Sequence, residues 1–134
     1  MQQVSVFIEN TSGTLTGVLD TLKKASVQMY AISIADTSEY GICRIICEVP
    51  QNAYSALQAA GFACSVSEVI AVGIGNEPGD AADMVALFSA AGVSIAYLYS
   101  FLLAGRPVLA FRTDDTARAI EIIAENGLSM IETI

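Results

Sequence analysis

Two short loops carry the residues best suited to chemistry in this chain. The first reads Asn10-Thr11-Ser12-Gly13-Thr14-Leu15, and the second, 66 residues later, reads Asn76-Glu77-Pro78-Gly79-Asp80-Ala81. Each follows an apolar run of strand type and opens a run of helical periodicity. A glycine-containing turn that feeds a helix N-terminus presents backbone N–H groups suited to a carboxylate or another anion. The asparagine side chain adds one donor group and one acceptor group beside them. A zwitterion needs both kinds, donors for its carboxylate and acceptors for its ammonium. Asp80 and Glu77 offer acceptor charge in the second loop, where the first has neutral Ser12 and Thr14, so the two loops need not be equivalent. The competing reading is structural: Asn10 and Asn76 also suit turns and helix caps, and Gly13 and Gly79 suit tight backbone geometry.

Catalytic chemistry finds little else to work with. The chain has no histidine, no nucleophile beside a base and no cluster of metal-ligand spacing, so no catalytic residue, metal or cofactor is expected. Asp114-Asp115-Thr116 reads as a helix start. Gly73-Ile74-Gly75 has its third glycine at Gly79, one residue late for a dinucleotide fingerprint, and no parallel βαβ unit follows. Cys43, Cys47 and Cys64 form no CxxC pair. Cys43 and Cys47 lie four apart on one strand, roughly 13 Å, too far for a disulfide. Buried free thiols in a reducing cytosol are expected, and with no basic region before an apolar run at the start, a cytoplasmic location follows.

Charge excludes another class. The net charge is −8, with six basic residues against 14 acids. The first half carries −2 and the second −6. No basic stripe appears on any helical run, so nucleic acid is not expected as a partner. Residues 84–105 form an uncharged stretch of 22, long enough to span a bilayer. The equivalent stretch of the first half holds Asp20, Lys23, Lys24 and Asp36, and Ala91-Gly92 breaks the run. A soluble helix followed by a buried strand is the reading, and no membrane is expected. Tyr97 and Tyr99 alternate within that strand as an apolar pairing face.

The elements that must position the loops repeat at the same offset of 66. Val6 matches Val72, Ile8 matches Ile74, Gly13 matches Gly79, Ala53 matches Ala119 and Gly61 matches Gly127. Residues 4–8, 30–35, 42–49 and 63–66 read as strands. Leu15, Val18, Leu19 and Leu22 stripe one helix, with Ser12 or Thr14 as its cap, and Ala53, Leu57 and Ala60 stripe a second. The second half repeats this with strands at 69–74, 94–101, 108–112 and 128–131. The fold class is therefore α+β: two βαββαβ ferredoxin-like modules, 1–66 and 67–134, with antiparallel sheets and helices on one face. The join is too short for free motion of two modules. Exchange of the fourth strands, with 63–66 folding back on 69–74 and 128–134 completing the first module, is slightly favoured over one long bent strand.

On these residues the chain resembles the ACT domain, a small regulatory module that binds amino acids. Asn76-Glu77-Pro78-Gly79 followed by Ala91-Gly92-Val93-Ser94-Ile95 is similar to the family's loop and its second-strand entry. The first copy departs from it with Ser12 for proline and Ser26 for glycine. The resemblance covers the whole chain as two ACT-like modules. It implies a non-catalytic sensor that binds a free amino acid at the interface of two modules and regulates an oligomer or a partner metabolic enzyme, with a homodimer as the assembly. The implied ligand-binding residues are Asn10, Ser12, Gly13, Thr14 and Leu15 in one loop and Asn76, Pro78, Gly79, Asp80 and Ala81 in the other. Gln28 and Ser94 are the polar partners from the opposing module. Serine-responsive members carry a histidine two residues before the loop asparagine. Ile8 and Ile74 stand there, which points to a more apolar pocket. The alternative is a protein-interaction subunit that holds no ligand. A small isomerase- or mutase-like enzyme on the same fold ranks third.

Overall fold

The computed structural model describes residues 1–9, 11–36 and 40–134. In chain order the elements are β1 (Gln2–Glu9), α1 (Thr14–Lys24), β2 (Met29–Asp36), β3 (Tyr40–Cys47), α2 (Pro50–Ala59) and β4 (Cys64–Glu68). They continue as β5 (Ile70–Gly73), α3 (Asp80–Ala90), β6 (Ile95–Leu103), β7 (Arg106–Thr113), α4 (Thr116–Glu125) and β8 (Ser129–Met130). The order βαββαβ occurs twice. Each copy builds one antiparallel four-stranded sheet, β2-β3-β1-β4 in the first and β6-β7-β5-β8 in the second. The chain divides into two compact units, Gln2–Glu68 with Ile134 and Val69–Thr133 with Met1, here called the first and second modules.

Alternation along the strands sets which face each module buries. In the first, Val66, Val4, Ile45 and Ile32 lie opposite one another across the four strands, and so do Cys64, Val6, Cys43 and Ile34. Val18 and Leu22 of α1 and Ala53 and Leu57 of α2 pack on this face. In the second, Ile70, Val72, Leu109 and Phe111 meet Met84 and Phe88 of α3 and Ala119, Ile122 and Ile123 of α4. Phe88 and Phe111 meet edge to face, their centroids 5.2 Å apart, a geometry that adds to plain burial.

The four helices end alike. In α2 the N–H of Phe62 bonds the carbonyl of Leu57, and that of Gly61 bonds Gln58, both at 3.0 Å. The same two bonds recur at Val27 and Ser26, at Val93 and Gly92, and at Leu128 and Gly127. This closure needs a left-handed residue just past the cap, normally glycine. Gly61, Gly92 and Gly127 supply it, whereas α1 uses Ser26 at φ 56°.

Two expectations are corrected. The fourth strands are not exchanged within the chain: β4 pairs with β1 from Gln2↔Glu68 to Val6↔Cys64, and β8 pairs with β5. The reason is length. Strand β4 runs on to Glu68, leaving only Val69 before β5, and Val69 is itself bonded to Met1 through both backbone groups, at 2.9 and 3.2 Å. A hairpin needs at least a two-residue turn. The second correction concerns residues 84–105, which divide into α3 and β6 as expected, but β6 is an edge strand with only Phe101 buried. No helix among the described residues is long and apolar enough to cross a membrane.

Candidate ligand-binding loops

The two glycine turns share one backbone geometry. Gly13 stands at φ 90°, ψ −13° immediately before α1, and Gly79 at φ 92°, ψ −11° immediately before α3. Both lie in the left-handed region that side chains disfavour, which is why glycine recurs at this place. Each glycine is also the residue at the helix cap and offers no side chain, and among the described residues none caps either helix there. The first helical bonds are those from Gly17 N–H to the Gly13 carbonyl at 3.0 Å and from Asp83 N–H to the Gly79 carbonyl at 2.9 Å. The N–H groups of Thr14 and Asp80 bond the Thr11 and Glu77 carbonyls, and among the described residues no side chain caps the rest of either first turn, the condition under which a helix start accepts an anion.

The expected caps from Ser12 or Thr14 are therefore not made. Ser12 is exposed in the turn, and Thr14 is already helical, its hydroxyl 2.9 Å from that of Thr11. Leu15 is half-buried and packs against the first core. Asn10 lies outside the described residues. In the second loop Asn76, Pro78 and Ala81 are exposed, and Asn76 is not at the helix cap.

Asp80 distinguishes the second loop. Its carboxylate accepts from the N–H of Glu77 at 2.9 Å, while its own N–H bonds the Glu77 carbonyl at 3.2 Å. A side chain at Gly75 would run into this carboxylate, so Gly75 provides the room for it. Asp80 thus ties its own loop, a use the sequence reading did not assign to it. Thr14, the equivalent residue of the first module, carries no charge.

The polar partners sit apart from the loops of their own modules. Gln28 is exposed, and its amide donates to the neighbouring Met29 carbonyl at 3.3 Å. Ser94 is exposed and held by backbone: its N–H donates to the Asp114 carboxylate at 2.9 Å and its carbonyl accepts from the Asp114 N–H at 3.2 Å. Ser94 lines a cleft with Ser89 and Gly92 that does not include the second loop. Asp115 caps α4 by accepting from the Arg118 N–H at 3.0 Å, as the sequence suggested.

Beside each loop the structure opens a cleft. That of the first module, about 340 Å³, is lined by Phe7, Glu9, Thr14, Tyr40 and Phe62. That of the second, about 430 Å³, is lined by Gly73, Gly75, Asp80, Asp83 and Leu128. Positions 7, 8, 9, 14 and 62 of one recur as 73, 74, 75, 80 and 128 of the other. The sequence reading missed Phe7, Glu9, Tyr40 and Phe62. Two signals pointed to them: Phe7 and Glu9 alternate with core residues Val6 and Ile8, and Phe62 follows the helix-ending Gly61.

The three cysteines add no ready nucleophile. Burial pushes the Cys43 thiol up to about 11 from its usual 9.0 and raises those of Cys47 and Cys64 as well, so all three stay protonated and poorly nucleophilic near neutrality. No group of three or more acids, cysteines or histidines among the described residues could hold a metal ion.

Comparison with known proteins follows the fold. A family model described as an ACT domain pair matches residues 1–134. Comparison with curated proteins finds no match. Among solved structures, a protein from Bacteroides thetaiotaomicron is 34% identical over 97% of this chain and 90% of its own, with a TM-score of 0.90. The ligand-free regulatory subunit of aspartate kinase from Thermus thermophilus is 16% identical over 92% of this chain and 91% of its own, TM-score 0.63. The corresponding subunit from Thermus flavus is 18% identical over 92% and 90%, TM-score 0.60. The likeness to the two kinase subunits is one of fold.

Proposed function

The chain belongs to the ACT domain pair family, and we propose that it is a non-catalytic sensor of a free amino acid. ACT domains are regulatory modules, and the fold here is the regulatory one. The observation that carries the reading is the turn built twice, with a left-handed glycine at the helix cap 66 residues apart. In this reading the ligand carboxylate meets the N–H groups after Gly13 or Gly79, with Asn10 or Asn76 beside it. Ser12, Thr14, Leu15, Pro78, Asp80 and Ala81 shape the two loops, and Gln28 or Ser94 approaches from an opposing module. Free cysteines, Cys43 and Cys47 buried and Cys64 half-buried, suit a cytoplasmic location.

Occupancy is then reported through assembly, as a homodimer or on a partner metabolic enzyme. Exposed edges support this part. Strands β2 and β6 end their sheets, and Ile32, Ile34, Leu98 and Leu102 on them are exposed. Edge strands of this kind invite pairing with another chain. The same edges favour the second reading, an interaction subunit without a ligand.

A thermal-shift panel over the common amino acids separates the two. A ligand at a hundred times its Kd stabilises a fold by about 2.7 kcal/mol, several degrees for a chain of this size. Asn76→Ala is expected to have little effect on stability, because Gly79 and not Asn76 holds the cap position. A flat response to every amino acid at millimolar concentration sinks the sensor reading and leaves the interaction subunit.

A further inference from the structure

The clefts beside the two loops occupy equivalent places in the two modules, yet their walls differ in chemistry. Around the first stand three aromatic rings, Phe7, Tyr40 and Phe62, with Glu9 the charged residue among the described ones and the Thr14 hydroxyl beside it. Phe7 and Tyr40 are each 55% exposed, a large apolar surface held at the mouth of a concavity. In the second, glycine replaces Phe7 and Glu9, leucine replaces Phe62, and an acid replaces Thr14. Its charged groups among the described residues are Asp80 and Asp83, and the Asp80 carboxylate already accepts the Glu77 N–H.

From this difference, and resting on the amino-acid-sensor reading, we propose that the two clefts are not two copies of one site. The first takes a neutral amino acid with a large aliphatic or aromatic side chain, and the second rejects the α-carboxylate, so each chain binds one such ligand. The volume of about 340 Å³ falls at the small end of the range for small-molecule sites. The rings cover the ligand's side chain, and the Glu9 carboxylate accepts from its ammonium. No basic residue lines the cleft among the described residues, so a ligand with an acidic side chain gains no partner there and meets Glu9. In the second cleft two carboxylates oppose an incoming anion, a repulsive element of the kind that sets specificity.

The test is isothermal titration calorimetry on the full chain with L-phenylalanine, L-leucine, L-serine and L-aspartate. Phenylalanine or leucine is expected to bind at one equivalent per chain, with serine and aspartate at least tenfold weaker. Glu9→Gln and Phe7→Ser, both at exposed positions, are each expected to weaken that binding tenfold or more while thermal unfolding stays cooperative. Glu121→Gln, an acid on α4 outside either cleft, should leave affinity unchanged. Two equivalents per chain, preference for serine or aspartate, or an affinity indifferent to both cleft variants would overturn the inference and leave the sensor reading standing. No heat with any of the four would overturn the inference, and together with a flat thermal-shift panel it would overturn both.

Discussion

If Gly75 exists to make room for the Asp80 carboxylate, the two positions must be energetically coupled. Gly75 does not have a left-handed φ, so alanine there meets no backbone strain. By itself such a change stabilises a chain by about 0.4–1 kcal/mol through the unfolded state. In the native loop, however, the new methyl would occupy the space of the Asp80 carboxylate oxygen, displacing it from the Glu77 N–H. The bond lost is an exposed one from backbone N–H to carboxylate at a helix start, about 1 kcal/mol by analogy with capping bonds. Gly75→Ala is therefore expected to be neutral or destabilising in the native background and stabilising in an Asp80→Ala background. The coupling in the double-mutant cycle should be about 1 kcal/mol. Urea unfolding followed by tyrosine fluorescence, with Tyr97 and Tyr99 in the same module, measures it, and faster amide exchange at Glu77 in Gly75→Ala reports the broken bond directly. Equal effects of Gly75→Ala in the two backgrounds would refute the claim that the glycine serves the aspartate.

Three further outcomes follow from the fold. Ser26→Gly removes a left-handed non-glycine residue from the end of α1 and should raise stability by about 0.5–1 kcal/mol, read as a higher Tm; a lower Tm contradicts the strain assigned to Ser26. Phe88→Ala, which removes a fully buried ring packed edge to face on Phe111, should cost about 3–5 kcal/mol in denaturant unfolding, and a loss below 1 kcal/mol contradicts the packing. The Cys43 thiol ionises near 9.0 when unfolded and at about 11 when folded. The unfolded chain thus binds fewer protons between these values, and stability should be full below pH 9 and fall between pH 9 and 11. Cys43→Ala should flatten that part of the stability profile, and parallel profiles for the two proteins would contradict it.

Much of this architecture was legible in the sequence because its signals are local. Period-two runs such as Val4, Val6 and Ile8 and helical stripes such as Val18 and Leu22 state which face is buried. Glycines at 13, 61, 79 and 127 mark where the chain turns, and their recurrence at one offset gives the duplication. Other features were decided by geometry that composition does not carry. Whether residue 12, 13 or 14 caps α1 depends on which of them takes a positive φ, and the structure gives that place to Gly13. Pairing of β4 with β1 depended on how far β4 runs before β5 begins. The apolar run in β6 reads alike for an edge strand and a central one. The first cleft escaped notice because Phe7, Tyr40 and Phe62 come from three distant segments that only the folded topology gathers at one end of the sheet.

The central claim is that a free amino acid binds at the glycine turn between the first strand and first helix of a module. At 14.0 kDa the chain suits heteronuclear NMR, so the direct measurement is a ¹H–¹⁵N correlation spectrum during titration with each common amino acid. The account expects at least one of them to give saturable shifts concentrated on the amides of residues 11–15 and on those lining the adjacent cleft, with α4 silent. Spectra unchanged by every amino acid at millimolar concentration, or saturable shifts confined to α4 and β7, would contradict it.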